Sequence, residues 1–118
     1  MPKFMLIMIT DREISEAEAA PVFGRMGQFA GQQAQAGKLC GGAPLTKVAE
    51  GARIRMRKGK LQITDGPFAE TKEVIGGYFL VDAADRAEAI RIAQQCPHAE
   101  LGIVEVREVV EMGGPPPD

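Results

Sequence analysis

The stretch Lys3-Phe4-Met5-Leu6-Ile7-Met8-Ile9 is apolar almost without interruption. A strand with one face in water would carry a polar residue at every second position. This one is therefore expected to be a central strand, covered on both faces or lying at a seam between two copies. Further strands are read at 38–45, 52–64, 75–81 and 103–110, where β-formers are bounded by Gly, Pro and Asp. The 52–64 segment divides into two alternating strands around Lys58-Gly59. The pair Gly76-Gly77 suggests a bulge or a close backbone approach.

Two helices separate these strands. Ser15-Glu16-Ala17-Glu18 has capping-box spacing, but Pro21 would sit inside a helix started there. The first helix is therefore expected near Pro21, where a missing N–H does no harm in a first turn, with Val22, Met26, Phe29 and Ala30 on its apolar face and Gly37 ending it. Asp82 is read as the cap of a second helix over 83–95, with Ala83, Ala87, Ile90 and Ala93 as its stripe and Pro97 as its stop. The order is strand, helix, strand, hairpin, strand, helix, strand, an α+β pattern. Two helices cannot cover both faces of such a sheet, so an apolar face would stay open in a single copy and a partner is expected.

A chain of 118 residues is one domain's worth. The domain is read as 1–112, followed by a Gly/Pro-rich tail at 113–118 that is expected to be mobile. With 45% hydrophobic and 25% charged residues, neither disorder nor a membrane class is suggested. No run approaches the ~20 apolar residues of a spanning helix and the start does not read as a leader, so a cytoplasmic location is expected. A net charge of -2 gives no general attraction for a polyanion. Arg53, Arg55 and Arg57 fall on one face of the hairpin, beside Lys58 and Lys60, but without interleaved aromatics no nucleic-acid partner is expected. Cys40 and Cys96 have no metal or disulfide spacing and read as small buried apolar residues. The six methionines read as fillers of core gaps. Neither a metal site nor a cofactor is expected: His98 has no second histidine, and the Gly41-Gly42 and Gly76-Gly77 pairs do not feed a helix as a phosphate loop does.

The ionisable groups concentrate in Asp65-Gly66-Pro67-Phe68-Ala69-Glu70-Thr71-Lys72-Glu73. This run resembles the signature of the DGPF-domain proteins within the broader YCII-related group. The N-terminal strand, Met26-Gly27-Gln28-Phe29, Gly41-Gly42, Cys96-Pro97-His98 and Val104-Glu105-Val106-Arg107 follow in the matching order. The resemblance implies a ferredoxin-like βαββαβ fold with an extra hairpin, pairing with a second copy into a dimeric α+β barrel. Some DGPF proteins occur alongside extracytoplasmic-function sigma factors, which implies a non-enzymatic regulatory alternative with a sigma factor as partner.

The DGPF turn is the leading candidate site, with Gly66, Pro67, Phe68, Glu70 and Lys72 as ligand contacts. Asp65 can act as a general base or orient one, because a carboxylate in a tight turn is open to retuning. The same residue also suits an Asx-type turn. Phe68 can anchor the loop in the core or stack on a ligand. Glu70 and Lys72 form either an exposed ion pair worth at most about 1 kcal/mol or, lining a pocket, a proton exchanger and an anion-binding cation. His98 is the single histidine, the residue type whose side chain ordinarily titrates near neutrality. Within the YCII-related group a His-Asp pair is tied to enzymatic dehydrochlorination, and by resemblance the pair here would be His98 with an Asp such as Asp65. His98 lies in a different element from that group's histidine. The expected function is binding of a small organic molecule, anionic ones included, with lyase- or isomerase-type proton transfer.

Overall fold

The structure, a computed structural model, describes residues 1–67 and 72–111. It forms a ferredoxin-like α+β fold in which the apolar N-terminal segment is β1 (Lys3–Thr10). β1 pairs antiparallel with β5 (Val74–Asp82) on one edge and β6 (Ile103–Glu108) on the other. β2 (Leu39–Pro44) joins the far edge of β5, so the sheet order is β2-β5-β1-β6. The central position expected of the first strand is the one observed. The pairing slips between Met8 and Ile9, where Met8 opposes Gly77 and Ile9 opposes Ile75. Gly76 is therefore the extra residue of a bulge.

Both helices bury one stripe against the same side of the sheet. Phe4, Leu6 and Met8 alternate on β1 and pack with Val81, Phe29 of α1 (Glu16–Gln35), and Ala89, Ile92 and Ala93 of α2 (Arg86–Gln94). α1 starts five residues before Pro21, contrary to the expected start at Pro21. Ser15 and Glu18 close a full capping box, and Ala19 N–H already bonds the Ser15 carbonyl at 3.0 Å. Pro21 removes one bond near the helix start, a loss the satisfied cap offsets. α2 is capped by Asp85, whose carboxylate accepts the Glu88 N–H at 2.8 Å, and not by Asp82. The shift of frame moves the buried stripe to Ala89, Ile92 and Ala93 and leaves Ala87 exposed.

β3 (Ala52–Arg57) and β4 (Lys60–Asp65) form a separate hairpin. Its two turn residues, Lys58 (φ 51°) and Gly59 (φ 76°), both take positive φ, the geometry of a type I′ connection. Register pairs Ile54 with Ile63 and Met56 with Leu61 on one face, and places Arg53, Arg55 and Arg57 on the other. Every residue of both strands is exposed, the four large apolar ones by 61–72%. The radius of gyration of 16.7 Å exceeds the roughly 13.5 Å of a compact domain this long. Met56 therefore departs from the expectation that the methionines fill the core, as does Met1 at 72% exposure. No described helix is long and apolar enough to cross a membrane.

Surface ion pairs tie the elements together. Lys3 meets Asp82 at 2.9 Å, Lys38 meets Glu88 at 2.6 Å, and Arg25 grips Glu100 through both guanidinium nitrogens. These bonds, and the bond from Arg12 to Glu18, hold Asp82, Glu88, Glu100 and Glu18 below the usual carboxylate range. A depressed native pKa means that the unfolded chain takes up protons first. The stabilisation is thus present above the unfolded values near pH ~4 and is lost as the pH falls through the native ones. Thermal melts are expected to be level from about pH 5 to 7 and to drop below about pH 4. A melting temperature unchanged down to pH 3 would remove these pairs from the account of stability.

Candidate functional site

α2 ends at Gln94, and Pro97 opens a short 3-10 turn, Pro97–Glu100. The turn is fixed by three backbone bonds: Ala99 N–H to the Cys96 carbonyl, and Leu101 and Gly102 N–H to the His98 carbonyl at 2.9 and 3.0 Å. Arg25 of α1 holds its far end through Glu100. These constraints set the imidazole of His98 against β1, where Nε2 lies 2.8 Å from the Ile9 carbonyl oxygen. A carbonyl only accepts, so Nε2 carries the proton. In the neutral ring Nδ1 then holds the lone pair. Nδ1 has no hydrogen-bond partner among the described residues. Gly102 makes this seat available: a Cβ there would stand 2.2 Å from the Ile9 oxygen and 3.2 Å from His98 Nε2.

His98 borders a cavity of about 500 Å³ between α1 and the β5–β2 half of the sheet. Its walls are Val22, Phe23 and Met26 from α1, Met8 from β1, Phe79 from β5 and Pro44 from β2. Phe79 is pinned by an edge-to-face contact with buried Phe29, centroids 5.5 Å apart. Gly27 lies on the helix side, and a Cβ at that position would meet nothing within 4 Å. Among the described lining residues only Thr10, Tyr78 and His98 bear polar side chains, and none is Lys, Arg, Asp or Glu. Behind the wall, buried Cys96 places its thiol 3.6 Å from Met8 Sδ and 3.7 Å from Met26 Sδ. Burial pushes this thiol's pKa up, which keeps it a protonated, poorly nucleophilic S–H. Among the described residues no group of three His, Cys, Asp or Glu side chains converges.

Of the candidate catalytic and ligand-contact residues read in the sequence, His98 is the one in the described lining of the cavity. Asp65 ends β4 opposite Ala52, exposed, and is not in the described lining. Gly66 N–H bonds the Gly51 carbonyl at 2.9 Å at the base of the hairpin, packed so closely that a Cβ would come within 2.0 Å of the Val48 oxygen. Pro67 and Lys72 are exposed and outside the described lining. Phe68 and Glu70 lie outside the described residues, as does the tail at 113–118. Cys40 is exposed on the edge strand, at the irregularity between Leu39 and Gly41, where its sulfur accepts from Lys3 Nζ at 3.7 Å; the expectation that it is buried is corrected. Gly41 and Gly42 lie within β2.

The sequence did not mark Ile9, Gly27, Phe79 or Gly102 as site residues. Gly27 did carry a signal, since a mid-helix glycine costs about 1 kcal/mol relative to alanine and no steric contact here demands it.

A curated relative, "Uncharacterized protein R00369" of Rhizobium meliloti (strain 1021), is 40% identical over 75 residues, which are 62% of this chain. The match spans 60% of that relative's own length. The sequence profile of the YCII-related domain matches residues 3–113, which takes in β1, both helices, the hairpin and β6. The chain belongs to the YCII-related domain family.

Proposed function

We propose that the chain is a homodimeric protein that binds a small organic molecule in the cavity beneath α1, with His98 exchanging a ligand proton in lyase- or isomerase-type chemistry. The observation that carries this reading is an apolar cavity of about 500 Å³ whose described lining holds a single imidazole, that of His98. That volume falls in the range of small-molecule sites. The carbonyl of Ile9 holds Nε2 as the donor, so the Nδ1 lone pair is the ring's base. Asp65, exposed on the hairpin, takes no part in this assignment.

The test is a thermal-shift library on wild type and Gly27→Leu. A ligand of the native state raises the melting temperature. Leucine at 27 replaces a helix glycine that lines the cavity and whose Cβ would meet nothing within 4 Å. The variant is expected to melt higher than wild type, by roughly 4–6 °C for ~1 kcal/mol, and to lose every hit. Hits retained in full by Gly27→Leu would sink the cavity reading, as would a library without hits. Proton exchange is checked by following deuterium entry into a bound hit in D2O. His98→Gln, which keeps a donor for Ile9 but cannot exchange protons, is expected to abolish it.

The homodimer rests on the hairpin. A two-stranded hairpin alone is at best marginally stable in water, and here one face exposes Ile54, Met56, Leu61 and Ile63. Light scattering is expected to give twice the 12.7 kDa chain mass, and Ile54→Lys with Ile63→Lys is expected to halve it. A wild type that stayed monomeric at micromolar concentrations would refute the dimer.

A further inference from the structure

Resting on the binding reading above, we infer that the cavity's ligand is an uncharged, largely apolar ring compound that donates one hydrogen bond to His98 Nδ1. Charge is the first ground. Among the described residues the lining offers no Lys or Arg, so a carboxylate or phosphate inside would lose its hydration without gaining a counter-charge. Lys72, the cation read in the sequence as an anion's contact, is outside that lining, as are the hairpin arginines. The lack of Asp and Glu among the described lining residues argues equally against a cationic ligand.

The wall chemistry is the second ground. Phe23 and Phe79 present aromatic rings, and Met8 and Met26 present polarizable thioethers, surfaces that suit a planar, polarizable molecule. Phe79 is already held by Phe29, so this part of the surface is ordered before the ligand arrives. Hydrogen bonding is the third ground. The ring's one proton is engaged at 2.8 Å by the Ile9 carbonyl, so the neutral imidazole offers the ligand an acceptor. A ligand that itself brings only an acceptor leaves Nδ1 unpaired. One that brings an N–H or O–H satisfies it, and places its proton on the base that the proposed chemistry needs.

The experiment compares three probes of one shape: indole, which has an N–H donor; indene, which has none; and indole-2-carboxylate, which is anionic. Dissociation constants are measured by calorimetry on wild type, Gly27→Leu and His98→Leu. Indole is expected to bind wild type about five-fold more tightly than indene, the value of one net hydrogen bond, and the carboxylate to bind most weakly. His98→Leu is expected to erase the indole–indene difference, and Gly27→Leu to remove both. Equal binding of indole and indene to wild type, no binding of indole, or tighter binding of the carboxylate would each overturn the inference. If the carboxylate binds best and Gly27→Leu removes it, only the ligand class is wrong and the cavity reading survives. If the broad library finds nothing, the cavity reading itself fails.

Discussion

Phe29→Ala is expected to destabilise the chain by about 3–5 kcal/mol, the cost of emptying a buried aromatic site. Phe29 is 2% exposed at the centre of the cluster that joins α1 to β1 and α2, and its ring meets Phe79 edge-to-face at an interplanar angle of 62°. Truncation would therefore remove both the burial and the ring pair. Against a total stability of about 5–15 kcal/mol for a domain, this is a large fraction. Urea unfolding should show a midpoint lower by about 2 M with an unchanged slope. Phe29→Leu, which keeps most of the volume, should cost no more than about 1.5 kcal/mol. The cavity should feel the change too, because Phe79 loses the contact that orients it, and any ligand found in the library should bind more weakly. A midpoint shift small enough to correspond to less than about 1 kcal/mol would show that α1 is not anchored through this ring.

The second large effect is expected at Gly102. In Gly102→Val the new Cβ would collide with the Ile9 carbonyl oxygen, 2.2 Å away, and press on His98 Nε2 at 3.2 Å. Ile9 cannot retreat easily, since it is 5% exposed and paired with Ile75 on one side and Ile103 on the other. Overpacking and the loss of the His98 hydrogen bond together should cost about 2–4 kcal/mol. Stability alone would not identify the seat of the imidazole, so the decisive reading is nitrogen NMR of the histidine. Wild type should show the Nε2–H tautomer, and the variant a mixture of tautomers. His98→Gln, which retains a donor for Ile9, should lose little stability while removing the base. If Gly102→Val kept both the stability and the Nε2–H signal of wild type, the close approach at Gly102 would not be what seats the ring.

Both predictions turn on residues of very different legibility. Phe29 was readable as a core position, because Val22, Met26, Phe29 and Ala30 recur at helical spacing. Gly102 was not, since its role is defined by an atom of Ile9 on another strand. The start of α1 lies between these cases. A capping box at Ser15 and a proline at 21 pull in opposite directions, and no nearby residue weighs one against the other. In the fold the satisfied cap prevails, and the helix runs on to bury Val22 and Phe29.

Local features were legible in the residues alone: the strands, the Lys58-Gly59 turn, the bulge at Gly76 and the end of α2 before Pro97 follow from side-chain alternation and from backbone rules that act between near neighbours. Which ionisable group meets the cavity depended instead on how distant elements pack. Asp65, in the segment richest in charge, is carried out on an exposed hairpin, while His98 is brought to Ile9 across 89 positions of chain. The reason is physical. Apolar periodicity specifies which residues must leave water, but not which distant polar atom will lie beside them once the sheet order places β1 between β5 and β6.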